Sequence, residues 1–253
     1  MLPVIFLCVA LYSAMSATVG VRLVRRAART RGMPELLMGF AYAAAPGFGY
    51  PLVVVGSAVS DRSLSAFLFA LGQTGIVLGV ASFLFFNARV FRPGSWIAPV
   101  AATLGALVLA LCSVHRVRTH IAVGAAALSL ATVRRDTILT LVVLGLAYAW
   151  TGLEGLRHHR LMRRRAQIGL GDPVVANRFL VWAVAGTLQC ASDAVIAYSL
   201  LQGGNISADP LPLFATSSVG VVNSTLLVLI FMPPARYTRW LLRETRPGAL
   251  ATV

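Results

Sequence analysis

Residues 115–136 read HRVRTHIAVGAAALSLATVRRD. Arg116 and Arg118 stand before a mildly apolar run of 13 residues, 121–133, and Arg134 and Arg135 follow it. As a helix this run is about 20 Å long, against about 30 Å for the hydrocarbon core of a bilayer. It is short for a crossing and suits a segment lying in the interface. The layout turns on it, because everything downstream changes side if it crosses.

The flanking sequence supplies longer runs. Apolar stretches suited to crossing lie near 2–21, 34–60, 63–86 and 96–114 before it, and near 137–156, 173–201 and 211–232 after it. Each approaches or exceeds the roughly 20 apolar residues that a spanning helix needs. The first run lacks a basic leader and is followed by Arg22, Arg25, Arg26, Arg29 and Arg31, so it reads as an uncleaved helix with its C-terminal end inside.

Charge tests the count. With seven spans and the N-terminus outside, 17 arginines face inward: Arg22 to Arg31, Arg89, Arg92, Arg157 to Arg165, Arg178, and Arg236 to Arg246. Five face outward, Arg62 and the four that bracket 121–133. An eighth crossing would send the basic stretch after the fifth span, and the basic tail, outside. The positive-inside bias opposes that. The expected fold is therefore all-α: a seven-helix transmembrane bundle over 1–235, N-out and C-in. An interfacial segment separates helices four and five, and an amphipathic tail covers 236–253.

Composition agrees. Hydrophobic residues make up 58% of the 253, charged residues 12%, and mean hydropathy is +0.80. A net charge of +14 would suggest nucleic acid in a water-soluble chain. Here anionic headgroups explain it better, and no nucleic-acid partner is expected. Every basic residue is Arg, which with abundant Ala and Gly resembles a GC-rich bacterial coding sequence. Cys8, Cys112 and Cys190 sit in apolar runs without metal or disulfide spacing.

Two local patterns carry structure. Pro46-Gly47-Phe48-Gly49-Tyr50-Pro51 should kink or unwind the second helix. Small residues four apart, at Gly39, Ala43 and Gly47, at Gly75 and Gly79, at Ala101 and Gly105, and at Gly220 and Ser224, should let helices approach closely. A homo-oligomer is a secondary use of the same pattern. In the tail, Arg236, Arg239 and Arg243 alternate with Trp240, Leu241 and Leu242 at helical spacing. That places Trp240 at headgroup depth. Arg163, Arg164, Arg165, Arg239 and Trp240 are the expected contacts with an anionic inner leaflet or a cytoplasmic partner.

Ionisable groups inside a membrane are costly and mark function. Asp193 is the acid at depth, with Gln189 four residues earlier on the same helical face. Counted from the inside, it falls toward the outer leaflet. Expected partners are Gln73 and Thr74 on the third helix, Tyr50 on the second, and Ser217, Ser218 or Asn223 on the seventh. Two readings stand: a site where Asp193 binds a proton, a cation or a ligand amine, or a neutral hydrogen-bonded acid that fixes packing. Glu154 is expected to pair locally with Arg157, Arg160 or His158. His115, His120, His158 and His159 lie off mid-span, which disfavours haem. No phosphate loop, nucleophile elbow or zinc-protease motif occurs, and nothing points to catalysis.

Seven spans with short loops resemble the rhodopsin-like layout. Microbial rhodopsins attach retinal to a seventh-helix Lys; this helix reads Phe214-Ala215-Thr216-Ser217-Ser218-Val219-Gly220-Val221-Val222-Asn223, and the chain has no Lys. The third helix reads Gly72-Gln73-Thr74-Gly75 where a counter-ion Asp would stand. Covalent retinal is excluded and no cofactor is expected. The resemblance is one of layout, which hosts many functions. The leading expectation is a bacterial inner-membrane receptor or sensor that binds a small or lipophilic ligand in the bundle and signals through basic cytoplasmic loops. The alternatives are a small proton- or ion-coupled transporter or channel using Asp193, and a structural subunit that docks an acidic partner.

Overall fold

A computed structural model describes residues 2–124, 131–204 and 210–244. These form helices, with no strand among the described residues. They are α1 Leu2–Thr30, α2 Met33–Ala58, α3 Arg62–Phe91, α4 Ile97–Val123, α5 Ala131–Gln167, α6 Pro173–Leu201, α7 Pro210–Phe231 and α8 Ala235–Glu244. The first six are long and apolar enough to cross a membrane. A seventh crossing is counted if α7 and α8, bent by 69°, make one broken span.

Each of α1 to α7 packs on its neighbours in sequence, and α7 returns to α1, so the helices close a ring. α3 also reaches α5. Inward faces mix small, aromatic and polar residues, while outward faces carry large aliphatic side chains. On α4, Ala98, Ala102, Leu109 and Ser113 are buried, whereas Leu104, Leu107 and Leu111 are each more than half exposed. Water would penalise such a surface; lipid does not. The chain is thus built as a multi-pass membrane protein.

Pro46 does not unwind α2. Residues Ala43–Gly49 widen into a π-helix, where the Tyr50 amide donates to the Ala45 carbonyl five residues back. The wider turn accommodates the amide that proline lacks. The small residues seat this segment: a Cβ on Gly79 would lie 2.5 Å from the Ala45 nitrogen, and one on Gly49 2.7 Å from the Gly72 carbonyl. Gly39 abuts α1 in the same way, at 2.8 Å from the Val24 nitrogen. On α4 the expected pairing is off by one helical face, because Ala101 is exposed and Ala98 and Ala102 turn inward.

The two ends of the segment 121–133 depart from expectation. Its described parts are no separate interfacial piece: α4 runs on to Val123 and α5 already begins at Ala131, while 125–130 lie outside the described residues. Tertiary contacts extend both helices. Arg62 donates to the carbonyls of Ile121 and Ala122, at 3.0 and 2.7 Å. His120 is buried, stacked on Phe69 at 4.1 Å and 3.0 Å from the Ser65 hydroxyl. His115 pairs with Asp136 and ties α4 to α5.

The basic stretch after the fifth span is likewise helix rather than loop. α5 continues through Arg157 to Gln167, about 16 Å past Leu156. The tail forms the expected helix, α8, beyond Pro233-Pro234. Tyr237 hydrogen-bonds Asn177 of α6 and its ring lies 6.1 Å from Trp240.

Candidate polar site in the bundle interior

α6 starts at Pro173 under an N-cap from Asp172, whose carboxylate accepts the Val174 amide at 2.8 Å. Five turns further in, its polar face meets α7. The Gln189 amide nitrogen donates to Asp193 Oδ1 at 3.0 Å, and its oxygen accepts from the Asn223 amide at 2.8 Å. Two one-turn neighbours and one cross-helix partner thus form a directed chain. Asp193 is only 4% exposed, and its second oxygen, Oδ2, has no hydrogen-bond partner among the described residues. Nor does the Asn223 carbonyl oxygen.

Gly145 of α5 makes room for Asp193: a Cβ there would lie 3.9 Å from the Asp193 Cβ. This contact, with those of Gly152 on Thr187 and Gly155 on Ala183, sets the antiparallel register of α5 and α6. Asp193 therefore sits at the level of Gly145. Asp136, paired with His115, is nine residues away along α5, and Glu154, paired with Arg92, is nine the other way. At 1.5 Å per residue each interval is about 14 Å. The acid lies midway between these two ion pairs and eight residues from the Leu201 end of α6.

Beside Asn223 lies a cavity of about 30 Å³, lined by Tyr12, Tyr42, Tyr148, Thr151, Trp182 and Asn223 among others. That volume suits one or two waters. Tyr12 and Tyr148 are also within electrostatic reach of Asp193. Below the cavity, Asn87, fully buried, donates to the Ala147 carbonyl at 3.2 Å and accepts from Thr151 at 3.0 Å. Glu154 follows one turn after Thr151. Arg92 Nε and one terminal nitrogen both reach its Oε1 at 2.6 Å, while Arg157 stands 3.6 Å from Oε2. The close partner is thus 62 residues distant in sequence, and the local arginine is secondary.

Of the residues expected to meet, Asp193, Gln189 and Asn223 do. Gln73 is buried elsewhere, its oxygen accepting from Ser113 of α4 at 3.2 Å. Thr74 is exposed and bonds back to the Ala70 carbonyl at 2.9 Å. Tyr50 is half-buried near Tyr12 and is not among the hydrogen-bond partners of Asp193. The Ser218 hydroxyl donates to the Ala215 carbonyl at 3.3 Å, and the side chain of Ser217 lies outside the described residues. Arg163, Arg164, Arg165, Arg239 and Trp240 are all exposed.

Tyr12, Tyr42, Tyr148 and Thr151 escaped the sequence reading. The available signal was three phenols in otherwise apolar spans, each with a hydroxyl that seeks a partner away from lipid. Among the described residues no group of three or more His, Cys, Asp or Glu is placed to hold a metal. No protein-family model matches the sequence, and no curated protein or solved structure is significantly similar to it.

Proposed function

We propose that this chain is a proton- or cation-coupled transporter or channel in which Asp193 takes up and releases the ion. The observation that carries the reading is a buried carboxyl with no cationic partner among the described residues, joined through Gln189 and Asn223 to a water-sized cavity. A charged group is kept out of lipid unless it binds or moves something. A structural acid would be expected to have both oxygens bonded, and Asp193 Oδ2 is not. A lipophilic ligand calls for a chamber of several hundred Å³; the cavity beside Asn223 holds about 30 Å³, and one of about 390 Å³ lies away from Asp193, beside Arg62, Ser65 and His120. The small size of the cavity beside Asn223 favours a proton relayed by water.

The membrane is a bacterial inner membrane in this reading, with the N-terminus outside and the C-terminus in the cytoplasm. The arginine bias supports that orientation, and the exposed Arg163, Arg164, Arg165, Arg239 and Trp240 then face anionic headgroups. A reporter fused after Val253 should be active on the cytoplasmic side; activity in the periplasm would reverse the layout. For the mechanism, purified protein is sealed into vesicles holding a pH-sensitive dye, and an imposed potential drives flux. Asp193→Asn should cut proton flux at least tenfold while eluting as a single species from a sizing column. Unchanged flux in that variant would leave Asp193 a packing residue and end the transport reading.

A further inference from the structure

The interior closes below the cavity at one level. Gly155 packs on Ala183, so Glu154 and Trp182 stand side by side across α5 and α6. Trp182 lines the cavity and stacks on Phe86, with ring centroids 5.3 Å apart. It also meets Phe91 and Phe231 edge-on at 6.5 and 6.0 Å. Next to this aromatic layer, Arg92 leaves the end of α3 and binds Glu154. Ring contacts and ion pair together separate the cavity from the end of the bundle that carries the basic helix extension.

The ion pair is lopsided. Both close contacts from Arg92 fall on Oε1, and Oε2 is buried without a hydrogen bond. Arginine–carboxylate pairs are frequently bidentate, with both oxygens engaged in parallel; this one is not. The groups facing Glu154 are Arg92 from the α3–α4 turn, with Arg157 at 3.6 Å and His158 at 3.9 Å from its own helix. α6 brings the ring of Phe179 against His158. Oε2 thus meets cationic groups only at ion-pair distance and accepts no hydrogen bond among the described residues; it lies about 14 Å along the axis from Asp193, with Tyr148 and Thr151 between them.

We infer that Glu154 is the second proton-carrying group of the path that includes Asp193, and that its pair with Arg92 latches the cytoplasmic gate. This rests on the transport reading of Asp193. The proton leaves Asp193, which becomes a carboxylate, and passes by water along the cavity to Glu154 Oε2, where a new O–H bond forms. Neutral Glu154 no longer holds the guanidinium by charge, so the α3–α4 turn parts from α5. The proton then passes to cytoplasmic water and the restored carboxylate recaptures Arg92. One proton moves and no other reactant is needed.

The same dye-loaded vesicles test this. Glu154→Gln should lower flux at least tenfold, and Glu154→Asp, which keeps a carboxyl, should recover much of it. Arg92→Gln should raise basal leak several-fold, and adding Asp193→Asn should abolish that leak. Wild-type flux in both Glu154→Gln and Arg92→Gln, with Asp193→Asn still inactive, overturns the inference and leaves the transport reading standing. If Asp193→Asn also conducts normally, the transport reading itself fails. A Glu154→Asp variant that stays as inactive as Glu154→Gln while eluting as a single species would count against proton carriage by Glu154.

Discussion

The seams that join α1, α2 and α3 and the seam between α5 and α6 both rely on glycine, but they use it differently. In the first group the backbones touch. Added Cβ atoms at Gly20, Gly39, Gly49, Gly72 and Gly79 would fall 2.5 to 2.8 Å from neighbouring backbone atoms. Between α5 and α6 the backbones also touch, at 2.8 Å for Gly186 on the Tyr148 carbonyl and 3.1 Å for Gly155, and the seam loosens to 3.9 Å only at Gly145, where Asp193 stands. One region is glued by van der Waals contact. The other is glued as closely at Gly186 and opens only at Gly145, beside Asp193.

The difference teaches where function has room. Close backbone approach in lipid gains packing that aliphatic side chains would block, and it leaves no space for water. The α5–α6 seam gives up part of that contact next to a buried acid and a cavity.

One substitution made in both regions sharpens the contrast. Gly79→Ala forces a methyl into the Ala45 backbone, and α2 cannot yield without disturbing its π-helical turn. We expect a loss of about 2 kcal/mol, read as a large fall in thermal midpoint and in the single-species fraction in detergent. Gly145→Ala meets only an ordinary contact, and alanine's helix preference should stabilise the protein by up to about 1 kcal/mol. A Gly145→Ala variant as damaged as Gly79→Ala would mean that the seam beside Asp193 is as tight as the glycine-glued one, and the comparison would collapse.

Much of the ring was legible in residue order. The apolar runs matched α1 to α7 in place, and the alternating tail became α8. Helix ends were less legible. Arg116, Arg118, Arg134 and Arg135 look like span boundaries, yet α4 and α5 run through them, because Arg62, Ser65 and Asp136 supply distant partners for that end of α4. Within the candidate site, the Gln189–Asp193 pair follows from helical spacing. Asn223 was one of several candidates on its helix, and Gln73 equally plausible on paper turned to Ser113 instead. Arg92 as the partner of Glu154 was beyond reach, since the nearer Arg157 satisfies every local rule.

The split has a physical basis. Hydropathy, run length and helical period belong to consecutive residues, so the chain alone carries enough to say that lipid surrounds it and that helices fill it. Which polar groups meet depends on how helices rotate and slide against one another, and those offsets are set by glycine contacts between segments far apart in sequence. A rotation of one residue, as between Ala101 and Ala102, moves a side chain by about 100°, enough to exchange lipid for the interior. The midpoint placement of Asp193 between two ion pairs is a property of that packing.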